Sequence, residues 1–199
     1  MDQLIQVVDC LSAAKVSKIL QKIELESHRF GGAPIYHKDE QFHVDDSVRS
    51  NTVFSVPDDH YISRAIHMGM VKGLTTYKKN LIEWHHSFDS FPLPNTVHTN
   101  IRREHIQILR YEPGQHYLWH TDQFPQKDHH LHTRELSLVL YLTNDFTGGT
   151  TMLPNGKYKP KPGQALIFPS TWCFPHSAEP VESGIKIVSV AWFHADYYE

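Results

Sequence analysis

A histidine followed two positions later by an aspartate is the pattern in this sequence with the clearest chemistry. His120 and Asp122 end a β-forming run at 115–122. Because residues i and i+2 of a strand point to the same face, this imidazole and carboxylate would project into the same space. A third ligand from a distant strand would complete a two-histidine, one-carboxylate set that holds a divalent metal and leaves coordination positions open.

The same histidine–aspartate spacing occurs four times, so the motif alone does not identify a site. The other three pairs are His37/Asp39, His43/Asp45 and His194/Asp196. The first two lie in a polar, loop-like stretch, and the last lies beyond every other histidine. We therefore favour His120/Asp122, which lies inside the β-rich half.

Two downstream residues could complete a site around this pair. His176 lies 56 residues after His120, and Lys186 opens the β run 185–193. On that strand Lys186 would share a face with Val188, Val190 and Trp192. A lysine among apolar residues is costly to bury unless an anion meets it. The alternative is an edge-strand lysine that protects against aggregation.

Other polar residues near the pair are less decisive. The segment 123–135 contains His129, His130 and His132. We expect a solvent-exposed substrate loop there, with a second metal site as the alternative. Tyr117 and Trp119 are predicted to face away from His120 and to pack. Arg49-Ser50-Asn51 could reach the mouth of the site.

Composition excludes several classes of protein. The chain has 199 residues, 40% hydrophobic and 21% charged, with a net charge of −3. These values exclude a disordered tail and disfavour nucleic-acid binding. Cys10 and Cys173 make no disulfide framework, which favours a reducing compartment. We see no signal peptide and no apolar run long enough to span a membrane, and we expect a cytoplasmic protein without a membrane partner.

Helical spacing of apolar residues dominates the first half of the chain. It predicts a helix over 11–29, with Ser12 as its N-cap, and a second helix over 57–88. Gly69 and Gly73 weaken the second prediction.

From residue 97 the pattern changes to short β runs separated by turn residues. The runs are 104–111, 115–122, 135–142, 150–153, 164–168 and 185–193. Such spacing favours a sandwich or barrel. We expect one α+β domain over 1–199, with a helix-containing support region at 1–96 and a β core at 97–199.

Four blocks in this half resemble the prolyl 4-hydroxylase branch of the iron- and 2-oxoglutarate-dependent dioxygenases. They are RYEPGQHY at 110–117 followed by His120 and Asp122, LSLVLYLTNDFTGGTT, KPKPGQALIFPS, and the series His176, Pro180, Val181, Gly184 and Lys186. The resemblance covers residues 104–194 in the right order. It implies a double-stranded β-helix (jelly-roll) core, with N-terminal helices packed against it and the metal at its mouth.

The resemblance also implies roles for individual residues. The iron ligands and candidate catalytic residues would be His120, Asp122 and His176. Lys186 would pair with the distal carboxylate of 2-oxoglutarate, and Tyr111 and Tyr141 match positions that hydrogen-bond the cosubstrate. Either tyrosine could equally be a core residue with a satisfied hydroxyl. Fe(II), 2-oxoglutarate and O2 would be required, with ascorbate as a candidate reductant.

The substrate is less defined than the reaction. The resemblance favours a prolyl residue in a protein or peptide, and a free amino acid or other small metabolite is the first alternative. Rivals of another class are a non-catalytic, cupin-like metal-binding protein and a silent scaffold barrel. Lys186 discriminates among them, because a binding module needs the ligands but not this lysine.

Overall fold

The structure, a computed structural model, describes residues 2–36, 41–90, 102–123 and 134–194. Two α-helices, α1 (Ala13–Leu25) and α2 (Tyr61–Trp84), lie in the first half of the chain. Short 3-10 helices span Asp2–Leu4, Ser27–Arg29 and His86–Asp89. Strands make up most of the remaining regular structure.

Sixteen strands are numbered in chain order within the described residues. They are β1 (Gln6–Asp9), β2 (Gly31–Gly32), β3 (Pro34–Tyr36), β4 (Phe42–Val44), β5 (Thr52–Val56), β6 (Arg102–Arg103), β7 (Ile106–Tyr111), β8 (Tyr117–His120), β9 (Arg134–Tyr141), β10 (Thr147–Gly148), β11 (Thr151–Leu153), β12 (Gly156–Tyr158), β13 (Gln164–Pro169), β14 (His176–Ala178), β15 (Val181–Ser183) and β16 (Lys186–His194).

Two antiparallel sheets carry the architecture. The major sheet has the order β1-β13-β9-β16-β7-β5-β2, with β6 paired to β16, and the minor sheet has the order β12-β11-β14-β8. Two further strand pairs, β10 with β15 and β3 with β4, complete the set among the described residues.

The major sheet buries both of its faces, and alternation along each strand decides which residue faces which side. On β9, Leu136, Leu138 and Leu140 pack on the face that carries both helices. Val139 and Tyr141 point to the opposite face, together with Leu153 of the minor sheet and its apolar neighbours. This period of two places alternate β9 residues in the space between the sheets.

Helix α1 presents Val16, Ile19 and Ile23 to the core at helical spacing. Ser12 is its N-cap and accepts a hydrogen bond from the Lys15 amide. The helix ends earlier than the predicted 29, because the chain tightens into the 3-10 turn at 27–29.

Helix α2 begins at Tyr61, later than the predicted start at 57, because a turn from Pro57 to His60 precedes it. Its glycines are close-packing points. A Cβ atom at Gly73 would lie 2.5 Å from the Cys10 Sγ atom. The absence of side chains at these positions therefore lets the helix approach the β1 end of the major sheet.

The first half of the chain contributes strands as well as helices, which the sequence did not predict. β1 pairs with β13, and β5 pairs with β7. Both strands are short, so their alternation was too brief to stand out from their polar surroundings. No helix within the described ranges is both long and apolar enough to cross a bilayer.

Candidate metal centre and cosubstrate pocket

Three side chains that could hold a metal ion meet where β8 and β14 pair. His120 ends β8, Asp122 follows two residues later, and His176 opens β14 directly opposite His120. Their ligand atoms all lie within 4.8 Å of one another. Among the residues that the structure places, no other group of three such side chains is gathered in this way.

The hydrogen bonds of the two imidazoles aim their Nε2 atoms at the carboxylate. The Nδ1 atom of His120 lies 2.8 Å from the Leu118 carbonyl, and that of His176 lies 3.2 Å from the Phe174 carbonyl. A carbonyl can only accept, so each Nδ1 carries a proton. The Nε2 atoms lie 3.8 Å (His120) and 3.3 Å (His176) from the Asp122 carboxylate oxygens.

Burial and mutual charge set the protonation of this cluster. Burial, reinforced by the neighbouring His176, lowers the pKa of His120 to about 3. Burial also opposes ionisation of Asp122, but His176, His120 and the Ser137 hydroxyl hold the pKa of its carboxyl well below the usual range. Burial works against the charged form of His176, yet the Asp122 carboxylate raises the pKa of that imidazole.

The donor set fits a divalent metal. A buried carboxylate and two imidazoles present three ligand atoms around one point, and each histidine has a carbonyl fixing its far nitrogen, as metal-binding histidines require. Two nitrogens and one carboxylate are the ligand types of mononuclear Fe(II) oxygenases.

Tyr117 lies against this cluster, contrary to the prediction that it packs elsewhere. Its ring stacks on His120 with centroids 3.5 Å apart, and the Arg49 guanidinium covers its other side. The β8–β14 pairing shifts register just here, which breaks the strict alternation that the prediction assumed. Trp119 is also not packed, since 56% of its surface is exposed.

Lys186 lies at the other end of the same cavity. Only 1% of its surface is exposed, and its ammonium donates to the Gly149 carbonyl at 2.8 Å. β16 lies between β7 and β9, so the edge-strand alternative is wrong. Burial lowers the pKa of Lys186 to about 7. An anion reaching this ammonium would compensate the cost of its burial.

Both predicted tyrosines border the lysine. The Lys186 ammonium lies 4.9 Å from the ring centre of Tyr111 and 5.4 Å from that of Tyr141. The Tyr141 hydroxyl is 2.7 Å from the Thr151 hydroxyl and donates to the Tyr158 carbonyl. Burial raises the pKa of Tyr111 to about 12, so its hydroxyl is neutral at physiological pH.

One cavity of about 400 Å³ joins the two ends. The His120–Asp122–His176 cluster lines one part of it, and Lys186, Tyr111 and Thr151 line another. Leu109, together with Val139, Val188, Val190 and Trp192, supplies apolar wall between them. This combination of apolar walls and a few converging polar groups is typical of small-molecule sites.

Sequence reasoning missed part of the cavity wall. Arg134 lines it, makes a bidentate ion pair with Glu104 and lies 3.9 Å above the Trp192 ring. Arg49, which the sequence could only suggest, is 7% exposed and also lines the cavity. Neither residue has a local spacing signal, because each reaches the site only through strand pairing.

The other three His-x-Asp pairs of the sequence do not lie at this cluster within the described residues. His43 is exposed on β4, and Asp45 accepts from the Ser47 hydroxyl. His194 contacts Glu104 at 3.0 Å. The predictions for His37, Asp39, Asp196 and the 129–132 histidines lie outside the described residues.

Comparison with known proteins agrees with this geometry. Residues 106–194 match the model of the 2OG-Fe(II) oxygenase superfamily. A putative prolyl 4-hydroxylase of Acanthamoeba polyphaga mimivirus is 36% identical over 107 residues, which are 45% of this chain and 44% of that protein. A PKHD-type hydroxylase of Crocosphaera subtropica is 35% identical over 104 residues, 48% of this chain and 46% of the relative. The matches therefore span less than half the length of these curated relatives.

Solved structures share the fold over nearly the whole chain. The viral collagen prolyl hydroxylase from Paramecium Bursaria Chlorella virus-1, in complex with 2OG, has a TM-score of 0.66 at 21% identity and covers 97% of each chain. A Trichoplax adhaerens prolyl hydroxylase, in complex with a hypoxia inducible factor peptide fragment, has a TM-score of 0.68 at 19% identity and covers 97% of this chain and 84% of its own.

Proposed function

Through residues 106–194 this chain belongs to the 2OG-Fe(II) oxygenase superfamily, and we propose that it hydroxylates prolyl residues in a protein or peptide. The observation that carries the proposal is the pairing of two features in one cavity. A His-Asp-His cluster with ligand atoms within 4.8 Å lies at one end, and a buried lysine lies at the other.

We assign Fe(II) to His120, Asp122 and His176, and the distal carboxylate of 2-oxoglutarate to Lys186. Tyr111 and Thr151, which line the cavity, would complete the carboxylate's hydrogen bonds, since a lysine offers a point charge and not a bidentate fork. The Tyr141 hydroxyl, predicted to bond the cosubstrate, donates to the Tyr158 carbonyl and would instead hold the Thr151 hydroxyl in place. When bound, Fe(II) supplies the oxidising chemistry with O2, as 2-oxoglutarate is decarboxylated to succinate and the substrate gains a hydroxyl. Ascorbate is our proposed reductant.

The protein's own part is positioning and exclusion of water. Leu109, Val188 and Trp192 wall the cavity, so a charge–charge contact at Lys186 would be stronger there than in water. The Tyr117 ring stacks on His120 and fixes its ring plane, and the Arg49 guanidinium lies over the Tyr117 ring. We interpret the two facing sheets as the double-stranded β-helix, within a single domain that spans the chain.

The relatives' names support a prolyl substrate, and the lysine supports the reaction class. A cupin-like binding module has no need for a buried ammonium that faces the same cavity as the ligands. A free amino acid remains the alternative substrate, and it predicts a different result in the experiment below.

The test is a substrate screen with succinate release as readout. Wild-type protein with Fe(II), 2-oxoglutarate and ascorbate is offered proline-containing peptides and, separately, free amino acids. We expect peptide-dependent succinate and a mass increase of one oxygen on proline, both absent from Asp122→Ala. Succinate release that occurs only with a free amino acid would overturn the proposal of a prolyl substrate. The absence of 2-oxoglutarate binding would overturn the reaction class.

A further inference from the structure

Two buried serines lie beside the candidate metal centre. Ser137 lies on β9, on the face that looks between the sheets, and Ser170 follows the end of β13. Their exposed fractions are 0% and 1%. The neighbouring residues on this face of β9, such as Val139, are apolar, so core packing does not explain a hydroxyl there.

The two hydroxyls form a directed chain that ends on Asp122. The Ser137 Oγ lies 2.6 Å from the Asp122 Oδ2 and 2.8 Å from the Ser170 Oγ. An ionised carboxylate only accepts, so the single Ser137 proton goes to Asp122. Ser170 must then donate to Ser137. Each donation polarises the next in a buried environment, which strengthens the bond to the carboxylate.

Asp122 needs such support because it lies outside a strand. Residues 121–123 follow the end of β8 and belong to no strand. Arg134 donates to the Asp122 carbonyl at 3.1 Å and holds the backbone, but it leaves the side-chain torsions free. The bond from Ser137 fixes those torsions, with one carboxylate oxygen near each imidazole.

We propose that Ser137, supported by Ser170, is the positioning residue that orients the metal-binding carboxylate of Asp122. The inference rests on the proposed function, because it takes the His120–Asp122–His176 cluster as the metal site. Neither serine is a ligand in it. Their contribution is to hold the carboxylate in its ligating orientation before the metal arrives.

The expected loss of metal affinity depends on the position of each serine in the hydrogen-bond chain that ends on Asp122. Ser137→Ala removes a hydrogen bond to a ligand, and such losses lower metal affinity by roughly 10- to 100-fold. Ser170→Ala removes a bond between neutral groups, for which we expect roughly 2- to 10-fold. Adding Ser170→Ala to Ser137→Ala should lower the metal affinity by less than about a further 2-fold, because the hydrogen-bond chain to Asp122 is already broken.

The experiment measures binding of Co(II) alone, without 2-oxoglutarate, by its visible absorption and by competition with a chromophoric chelator. Ser189→Ala is the matched control. Ser189 is also fully buried, on β16, and within the described residues its hydroxyl has no hydrogen-bond partner. Thermal unfolding of each metal-free variant measures the structural cost separately, and Ser137→Thr, which keeps the hydroxyl, should restore most of the affinity.

We expect Ser137→Ala to lose Co(II) affinity while Ser189→Ala keeps it. Equal affinities in wild type, Ser137→Ala and Ser170→Ala would overturn the positioning role. If Ser137→Ala does not fold, the Co(II) affinity of Ser170→Ala is the test. An affinity equal to that of wild type would then overturn the proposal. The proposed function fails differently: wild type would then bind Co(II) no better than Asp122→Ala.

Discussion

His176 lies directly opposite His120 across the β8–β14 pair, with their ring centroids 4.2 Å apart. Two residues 56 positions apart in the sequence are therefore cross-strand neighbours. Asp122 extends from the same end of β8 toward both rings. The strand register thus brings His176 to the local His120/Asp122 pair, and the three residues together form the candidate metal centre.

Asp122→Ala should nearly abolish turnover and Co(II) binding, because it removes one of three ligands. Little core volume is lost, so the metal-free variant should remain folded. Asp45→Ala is the matched control, since it alters another His-x-Asp carboxylate that lies on an exposed segment. Succinate release and Co(II) absorption are the measurements. Near wild-type turnover in Asp122→Ala would move the ligand assignment to another carboxylate.

Lys186→Ala should raise the KM for 2-oxoglutarate while Co(II) affinity stays unchanged. Leaving a buried carboxylate without its partner costs about 3–5 kcal/mol, which corresponds to a roughly 10²- to 5 × 10³-fold loss of affinity. Lys186→Arg should recover only part of this loss, because a planar fork must fit a space shaped for an ammonium. Lys161→Ala, which alters an exposed lysine outside the cavity lining, is the control. An unchanged KM in Lys186→Ala would refute the cosubstrate assignment.

Binding of 2-oxoglutarate should weaken as pH rises above about 7. The pKa of Lys186 in the free protein is lowered by burial to about 7, so below that pH the ammonium is already charged. Above it, binding must take up a proton, and affinity should fall by about tenfold per pH unit until the pKa of the complex is reached. Calorimetry at pH 8 in two buffers of different ionisation enthalpy measures this uptake. Equal heats in both buffers would contradict it.

Gly73→Ala should destabilise the fold without touching the site. The new Cβ would lie 2.5 Å from the Cys10 Sγ atom, and overpacking of this kind costs about 1–3 kcal/mol. Gly31→Ala is the control, because nothing lies within 4 Å of its Cβ position. Urea unfolding measures the difference. Equal stabilities of the two variants would show that α2 does not approach Cys10 this closely.

The sequence could identify the site where the signal was local. Strand parity placed Lys186 with Val188 and Trp192 on one face of β16. His120 and Asp122 do lie together, but the predicted strand at 115–122 ends at His120, so Asp122 reaches the site from the segment after β8. The sequence-based prediction failed where the position of a side chain depended on how two strands pair. Tyr117 faces His120 because of an irregularity in the β8–β14 pairing, which no spacing rule anticipates.

Long-range contacts explain the other omissions. Ser137 reaches Asp122 only because β9 passes beside the end of β8, and an isolated serine in an apolar run carries no such information. β1 and β5 were missed because a strand of four or five residues shows too few alternations to be distinguished from a loop.

The most direct test of the account is an anaerobic titration of wild-type protein with Fe(II) and 2-oxoglutarate, followed by visible absorption. We predict a weak charge-transfer band that saturates at one 2-oxoglutarate per protein, is absent from Asp122→Ala, and needs far more 2-oxoglutarate in Lys186→Ala. A wild-type protein that binds Fe(II) but develops no band at saturating 2-oxoglutarate would contradict the account. So would a band that survives unchanged in Asp122→Ala.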